Sequence, residues 1–257
     1  MLVIDTSFPA TGFNERNGEP VAQLVLHYTA APFAAALRTL TGEAVSAHYL
    51  LPDPHEPSYR AAGYDELRAF RLVDEHRRAW HAGVSQWGGR DNLNSRSIGI
   101  ELVNLARDDG GVFTFPDYGE EQIEVLIALL RDLLGRYPQL GPTDILGHSD
   151  VAYWRKSDPG PRLPWRRLFE AGIGAWFDEA TRAMYQRRFC LGLPPEVEVE
   201  RAFQRYGYAP AKNRRDFEHR TRAFQMHFRA QDYCGVLDAQ TCAILYALNE
   251  KYLGLCG

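Results

Sequence analysis

Residues 97–104 read SIGIELVN, a run of strand length that is almost continuously apolar through Ile98, Ile100 and Leu102. Such a run fits a strand at the centre of a sheet, covered on both faces. Glu101 breaks the pattern. A carboxylate inside a covered strand is costly unless it is paired or lies near a metal ion. A salt-bridged structural Glu would satisfy the strand, and a general base aimed at an activated water would explain the burial better.

The flanking segments supply the rest of a sheet. AQLVLHYT (22–29), SAHYLL (46–51), FRLVDE (70–75) and TDILGHS (143–149) have strand length and apolar content. PFAAALRTLTG (32–42) is bracketed by Pro and Gly as helices are, EEQIEVLIALLRDLLGRY (120–137) puts Ile123, Leu126, Ile127, Leu130 and Leu134 on one face, and PWRRLFEAGIGAWF (164–177) predicts a closing helix. Strands alternating with helices predict an α/β fold, a mixed central β-sheet flanked by helices. GLPPEVEVER (192–201) reads as a linker, and the last ~60 residues as a small all-helical C-terminal domain, with Asp238 placed to cap its final helix. The expected division is residues 1–180 and 192–257.

At 257 residues and 45% apolar content the chain can bury a sizeable core. The formal charge of −4 gives no excess of cations, so a nucleic-acid partner is not expected. No apolar run approaches the ~20 residues that cross a bilayer, and no transmembrane segment is expected. The N-terminus lacks the basic and apolar stretches of a signal peptide, which points to the cytoplasm, or to export to the periplasm without a cleavable signal. Cys190, Cys234, Cys242 and Cys256 have no C-x-x-C spacing, so a thiolate zinc cluster is disfavoured and buried free thiols are expected. A homo-oligomer is compatible with the composition.

The histidines narrow the chemistry. His27 ends the first long strand, and His148 follows the strand of ILGHSD. Asp158 sits in a loop bracketed by Pro159 and Pro161. Two His and one carboxylate make a three-ligand set for catalytic zinc, leaving one position for water. A satisfied core histidine and a turn aspartate before proline are the plain alternatives. Lys156, two residues before Asp158, would stand beside such a metal and could stabilise an oxyanion, or be a solvated surface lysine. His48 reads as a support behind a ligand or a packing residue rather than a ligand, and His219 and His227 as surface residues of the helical unit. HAGVSQWGGRDNLNS, rich in Gly and Asn, makes Trp80, His81, Asn92 and Asn94 candidates for a substrate groove, with Trp80 equally suited to the core.

LVLHYTA (24–30), SAHYLL (46–51), RAWHAG (78–83), NSRSIGIELVN (94–104), ILGHSD (145–150) and RKSDPG (155–160) occur in this order. Together they closely resemble the type-2 N-acetylmuramoyl-L-alanine amidases, the AmpD/AmiD-like zinc hydrolases, over roughly residues 20 to 177. The resemblance implies that His27, His148 and Asp158 bind Zn2+, that Glu101 activates the water and that Lys156 supports the transition state. It implies hydrolysis of the amide between the lactyl group of N-acetylmuramic acid and L-alanine. The implied partners are peptidoglycan or muropeptides, including anhydro-muropeptides. AFQMHFR…GVLDAQTCAIL resembles the three-helix peptidoglycan-binding domain of the same enzymes, although residues 208–217 lack its usual Gly-rich turn. The alternative is a recognition protein that binds muropeptides without cutting them; a full ligand set with Glu101 and Lys156 argues against it.

Overall fold

A strand points successive side chains to opposite faces, so one strand can serve a core and a site at once. The structure is a computed structural model that describes residues 2–64, 66–109 and 112–254. Its strands are Ile4–Asp5 (β1), Phe13–Glu15 (β2), Gln23–Tyr28 (β3), Tyr49–Leu51 (β4), Ala69–Arg71 (β5), Arg77–Ala79 (β6), Gln86–Trp87 (β7), Arg90–Asp91 (β8), Ser97–Leu102 (β9), Arg107–Asp109 (β10), Val112–Thr114 (β11) and Ile145–Gly147 (β12). Its helices are Phe33–Leu40 (α1), Pro57–Ala61 (α2), Glu120–Arg136 (α3), His148–Val151 (α4), Trp165–Glu170 (α5), Glu179–Phe189 (α6), Glu196–Tyr206 (α7), Arg214–Phe228 (α8) and Ala239–Leu253 (α9).

The main sheet runs in the order β1-β5-β4-β9-β3-β12. Strands β4, β9, β3 and β12 are parallel, whereas β5 is antiparallel to β4, so the sheet is mixed as expected. SIGIEL is its interior strand β9, held between β3 and β4. Ile98, Ile100 and Leu102 point to one face and pack with Leu24, Leu26 and the Ile123, Leu126 and Leu130 stripe of α3. The alternate positions, Gly99 and Glu101 on β9 and Val25 and His27 on β3, face the other way. The helix expected over 164–177 ends at Glu170, because Gly172 and Gly174 take positive φ and turn the chain away.

The C-terminal helices start earlier than the sequence suggested. Linker residues 196–201 are already the first turns of α7, whose N-terminus follows Pro195. Helix α6 escaped notice because EATRAMYQRRF is mostly polar; only Tyr185 and Phe189 are buried, against Tyr246 of α9. Asp238 caps α9 as expected, accepting from the Thr241 amide at 2.7 Å. Two of the expected buried thiols are exposed, Cys190 at the end of α6 and Cys234 in the loop between α8 and α9; Cys242 is buried, all three are free, and Cys256 lies outside the described residues. No described helix is long and apolar enough to cross a membrane.

One apolar cluster joins the sheet to the helical unit: Val25, Leu146 and Val151 pack with Tyr208, Phe224 and Phe228. At its edge Asp150 of α4, 1% exposed, accepts three hydrogen bonds. They come from the Gly147 amide at 2.7 Å, the Tyr208 hydroxyl at 2.5 Å and His227 Nδ1 at 2.8 Å. His227 therefore corrects the surface expectation. It is buried, with its ring stacked between Trp165 (3.7 Å) and Phe228 (3.9 Å). An α8 histidine needs a buried acid from the other unit to lie inside, and nothing local in HRTRAFQMHF announces that acid.

Asp150→Ala strands three buried donors, each worth roughly 1–3 kcal/mol when left unsatisfied. Unfolding in urea should show a loss of about 3 kcal/mol; a change below ~1 kcal/mol would mean that this contact does not join the two units.

Candidate metal centre

The parallel register builds the centre as a row. His27 on β3 stands opposite Glu101 on β9, and Gly147 of β12 stands opposite Leu26, so His148 enters α4 beside His27. The two imidazoles lie 4.5 Å apart between ring centroids. Asp158 reaches in from the loop after α4, where its carbonyl accepts from the Ser149 amide at 2.7 Å and the next carbonyl, of Pro159, accepts from the Tyr118 hydroxyl at 2.7 Å. Gly147 permits this approach, since a Cβ there would lie 2.7 Å from Pro159 Cδ.

One Asp158 oxygen, Oδ2, lies 2.9 Å from His27 Nδ1 and 3.0 Å from His148 Nδ1. The ligand atoms of these three buried residues lie within 4.8 Å of one another and could hold a metal ion. A tetrahedral ion ~2.1 Å from each would set them ~3.4 Å apart, a few tenths of an ångström wider than the observed pairs. The outward nitrogens of both rings are already engaged. His148 Nε2 donates to the Ala82 carbonyl at 3.1 Å. His27 Nε2 donates to His81 Nδ1 (3.0 Å), His81 Nε2 to Ser97 Oγ (3.0 Å), and Ser97 Oγ to the Leu93 carbonyl (2.7 Å). The chain from His27 ends at a carbonyl, so it assigns the His27 Nδ1 lone pair to the common point; for His148 the Ala82 carbonyl favours the same tautomer, with Arg155 Nη2 also 3.2 Å from Nε2. Fixing the second ring nitrogen is how proteins orient metal-binding imidazoles.

Electrostatics fit the same donor set. Burial lowers His27 to about 4, helped by His148, so the ring is neutral and its lone pair free. Burial raises the Asp158 carboxyl, and positive or donating partners at the two Nδ1 positions pull it well below its ordinary range; with those nitrogens presenting lone pairs, a bound cation would take over that pull. Glu101 is pushed the other way, well above the usual carboxylate range, first by burial and then by Asp158, with Lys156 opposing. Its Oε1 is 4.0 Å from His27 Nδ1, and Oε2 is buried with no hydrogen-bond partner. A cation at the triad would act on Glu101 in the same direction as Lys156.

A cavity of about 210 Å³ opens over these groups, with Glu101, Lys156 and Trp80 in its walls. Lys156 is exposed and ends a turn in which its amide bonds the Ala152 carbonyl at 3.0 Å, and this turn brings it beside Asp158. Trp80 is half-buried at the wall, its indole N–H donating to Asn14 Oδ1 at 2.6 Å. The other groove candidates divide. His81 lines the cavity but acts as the brace behind His27. Asn94 is turned inward, its Oδ1 accepting from the His81 and Ala82 amides at 3.1 and 2.6 Å. Asn92 is exposed and borders a different recess, with Ser85 and Pro210. Their backbone turn carries function by holding His81, while Asn92 and Asn94 themselves do not border the metal cavity.

The sequence reading missed His81 as a brace, Ser97 behind it, and Arg155, which donates to the Ala82 and Val84 carbonyls at 2.5 and 3.0 Å. One signal was present. A glycine inside a strand marks a close approach, and a Cβ on Gly99 would lie 2.3 Å from the His81 ring. Gly99→Ala should displace that ring and weaken metal binding by about 10- to 100-fold, as loss of an outer brace does. Competition with a chromophoric chelator measures it, and unchanged affinity would free His81 of this role.

Comparisons with known proteins point to one family. A family model described as N-acetylmuramoyl-L-alanine amidase matches residues 17–161. The chain is 43% identical over 237 residues to the N-acetylmuramoyl-L-alanine amidase AmiD of Escherichia coli K12, covering 89% of this chain and 82% of that protein. It is similar to the crystal structure of AmpDh3 from Pseudomonas aeruginosa in complex with anhydromuramic pentapeptide, with 58% identity, a TM-score of 0.89 and 94% of each chain covered. The structure of AmiD from E. coli with the substrate anhydro-N-acetylmuramic acid-L-Ala-D-γ-Glu-L-Lys matches at 38% identity and a TM-score of 0.80, covering 94% of this chain and 98% of that one. With the matched segment running from before β3 to beyond Asp158, the chain belongs to the N-acetylmuramoyl-L-alanine amidase family.

Proposed function

We infer that this protein is a zinc-dependent amidase that hydrolyses the bond between the lactyl group of N-acetylmuramic acid and L-alanine in muropeptides, and so serves peptidoglycan turnover. The observation that carries the reading is Glu101: a half-buried acid with one buried, partnerless oxygen, one strand from a His-His-Asp set. His27, His148 and Asp158 would hold the metal through Nδ1, Nδ1 and a carboxylate oxygen. Bound there, zinc supplies a Lewis acid that brings the pKa of water towards ~7.

The chain's own residues do the remaining work. Glu101 takes a proton from the attacking water through its cavity-facing carboxylate and returns it to the amine of the departing L-alanine. Lys156 donates to the oxygen that gains charge as the lactyl carbonyl becomes tetrahedral, a contact worth roughly 3 kcal/mol of barrier. Trp80 lines the cavity wall against which the substrate lies. His81 keeps His27 in the tautomer that the site requires. Residues 1–180 form the catalytic unit in this reading, and residues 192–257 a peptidoglycan-binding-like unit.

The test is release of the free peptide amine from anhydro-muropeptide, followed by mass analysis of both products, before and after treatment with a chelator. Cleavage at the lactyl amide, lost on chelation and restored by Zn2+, is expected. Intact substrate under every condition would favour the non-catalytic recognition protein. Glu101→Gln keeps the shape and cannot accept the proton; it should retain metal while turnover falls about 100-fold or more. Turnover above a tenth of the wild-type rate would remove Glu101 from proton transfer.

A further inference from the structure

The metal cavity does not end at Lys156. That residue also lines a second cavity of about 190 Å³, whose far wall is α8 of the helical unit. Positions His219, Arg222 and Met226 of α8 share one helix face and look into it. Trp154, Tyr233 and Phe113 supply aromatic walls, and the Phe113 ring is stacked on Phe115 at 5.6 Å. The partition between the cavities is polar, with the Tyr28 hydroxyl 2.6 Å from Ser157 Oγ.

Its charge is one-sided. Among the described residues, no Asp or Glu lines this second cavity. The guanidinium of Arg155 is held by two backbone carbonyls at 2.5 and 3.0 Å, whereas Arg222 makes one long bond, from Nη2 to the Cys234 carbonyl at 3.5 Å, so Lys156 and the rest of the Arg222 fork face a ligand. Arg222 lies over the Phe113 ring, 6.0 Å from its centroid, and is half-buried. In the recess that continues past Arg222, Asp232 is already paired with Arg229 at 3.3 Å. Burial and the neighbouring Arg215 and Arg222 lower His219, which keeps that ring neutral beside them.

We propose that this second cavity is a subsite for the carboxylate-bearing peptide of the substrate, with Arg222 pairing a carboxylate that leads away from the metal centre. The inference rests on the amidase reading, because the peptide must start at the scissile amide. A peptide of the kind named for AmiD carries free carboxylates at D-γ-Glu and at its C-terminus. Arginine suits them, since its planar fork matches a carboxylate. The helical unit thereby completes the binding surface of the catalytic one, through a side chain that a chain ending before α8 would lack.

Steady-state kinetics on two soluble substrates decide it: anhydro-muramoyl-L-Ala-D-γ-Glu-L-Lys, and the same compound with its carboxylates converted to amides. Arg222→Gln should raise KM about tenfold on the free acid, with kcat within about twofold. On the amide form, variant and wild type should agree within about twofold, and Arg222→Lys should recover part of the loss on the acid. Equal effects on both substrates, or none on the acid, would overturn the subsite while leaving the amidase reading intact. Wild-type protein that cuts neither substrate would overturn the amidase reading itself. A thermal melt of each variant guards the comparison; if Arg222→Gln melts early, the acid-against-amide ratio measured with Arg222→Lys carries the decision, and a ratio equal to wild type in a well-folded Arg222→Ala would overturn the subsite.

Discussion

Parallel pairing of β3 with β9 on one side and β12 on the other is the constraint on which the centre depends. Because the pairing is in register, Glu101, His27 and the start of α4 fall in one row across three strands. Neighbouring strands are ~4.8 Å apart, so the row sets the spacing of the functional groups before any side chain chooses a rotamer. A slip of one residue in β3 would turn His27 into the α3 core and Leu26 into the cavity. The apolar face of the sheet prevents the slip, since Leu24, Leu26, Ile98 and Ile100 are all fully buried beneath α3. Hydrophobic burial on one face thus holds the chemistry on the other.

That arrangement explains which residues could be read without a structure. Glu101 announced itself because a single acid interrupts an apolar run, and His27 and His148 because they end strands. Asp158 needed the order of six segments to be read as a candidate ligand, as the short loop after α4 fixes no direction by itself. The braces were hidden for a related reason. His81 meets His27 across 54 positions, and Asp150 meets Tyr208 and His227 across 58 and 77, so neither partner lies within any local pattern. Gly99 was the exception, a missing side chain whose meaning is a neighbour that needs the room. Asn92 and Asn94 show the opposite error. Composition marked their turn as functional, but Asn94 spends its carbonyl oxygen on backbone amides, and the cavity wall is made by its neighbour.

The helical unit raises the question of why a site complete in one sheet should be packed against three more helices. Helix α4 gives the physical answer. It is one turn long, too short to be stable by its own hydrogen bonds, yet it carries His148 at its first position. Three hydrogen bonds to Asp150 tie that turn down, two of them from residues beyond Tyr206. Val151 lies in the same apolar cluster as Phe224 and Phe228. His148 is therefore held from both sides: by the Ala82 carbonyl in the sheet unit, and through Asp150 by the helices. A unit tethered only by a linker could add affinity for a polymer but could not set the direction of a metal ligand. One that shares a core with α4 can fix that direction, with His227 of α8 bonded to Asp150 behind the candidate site.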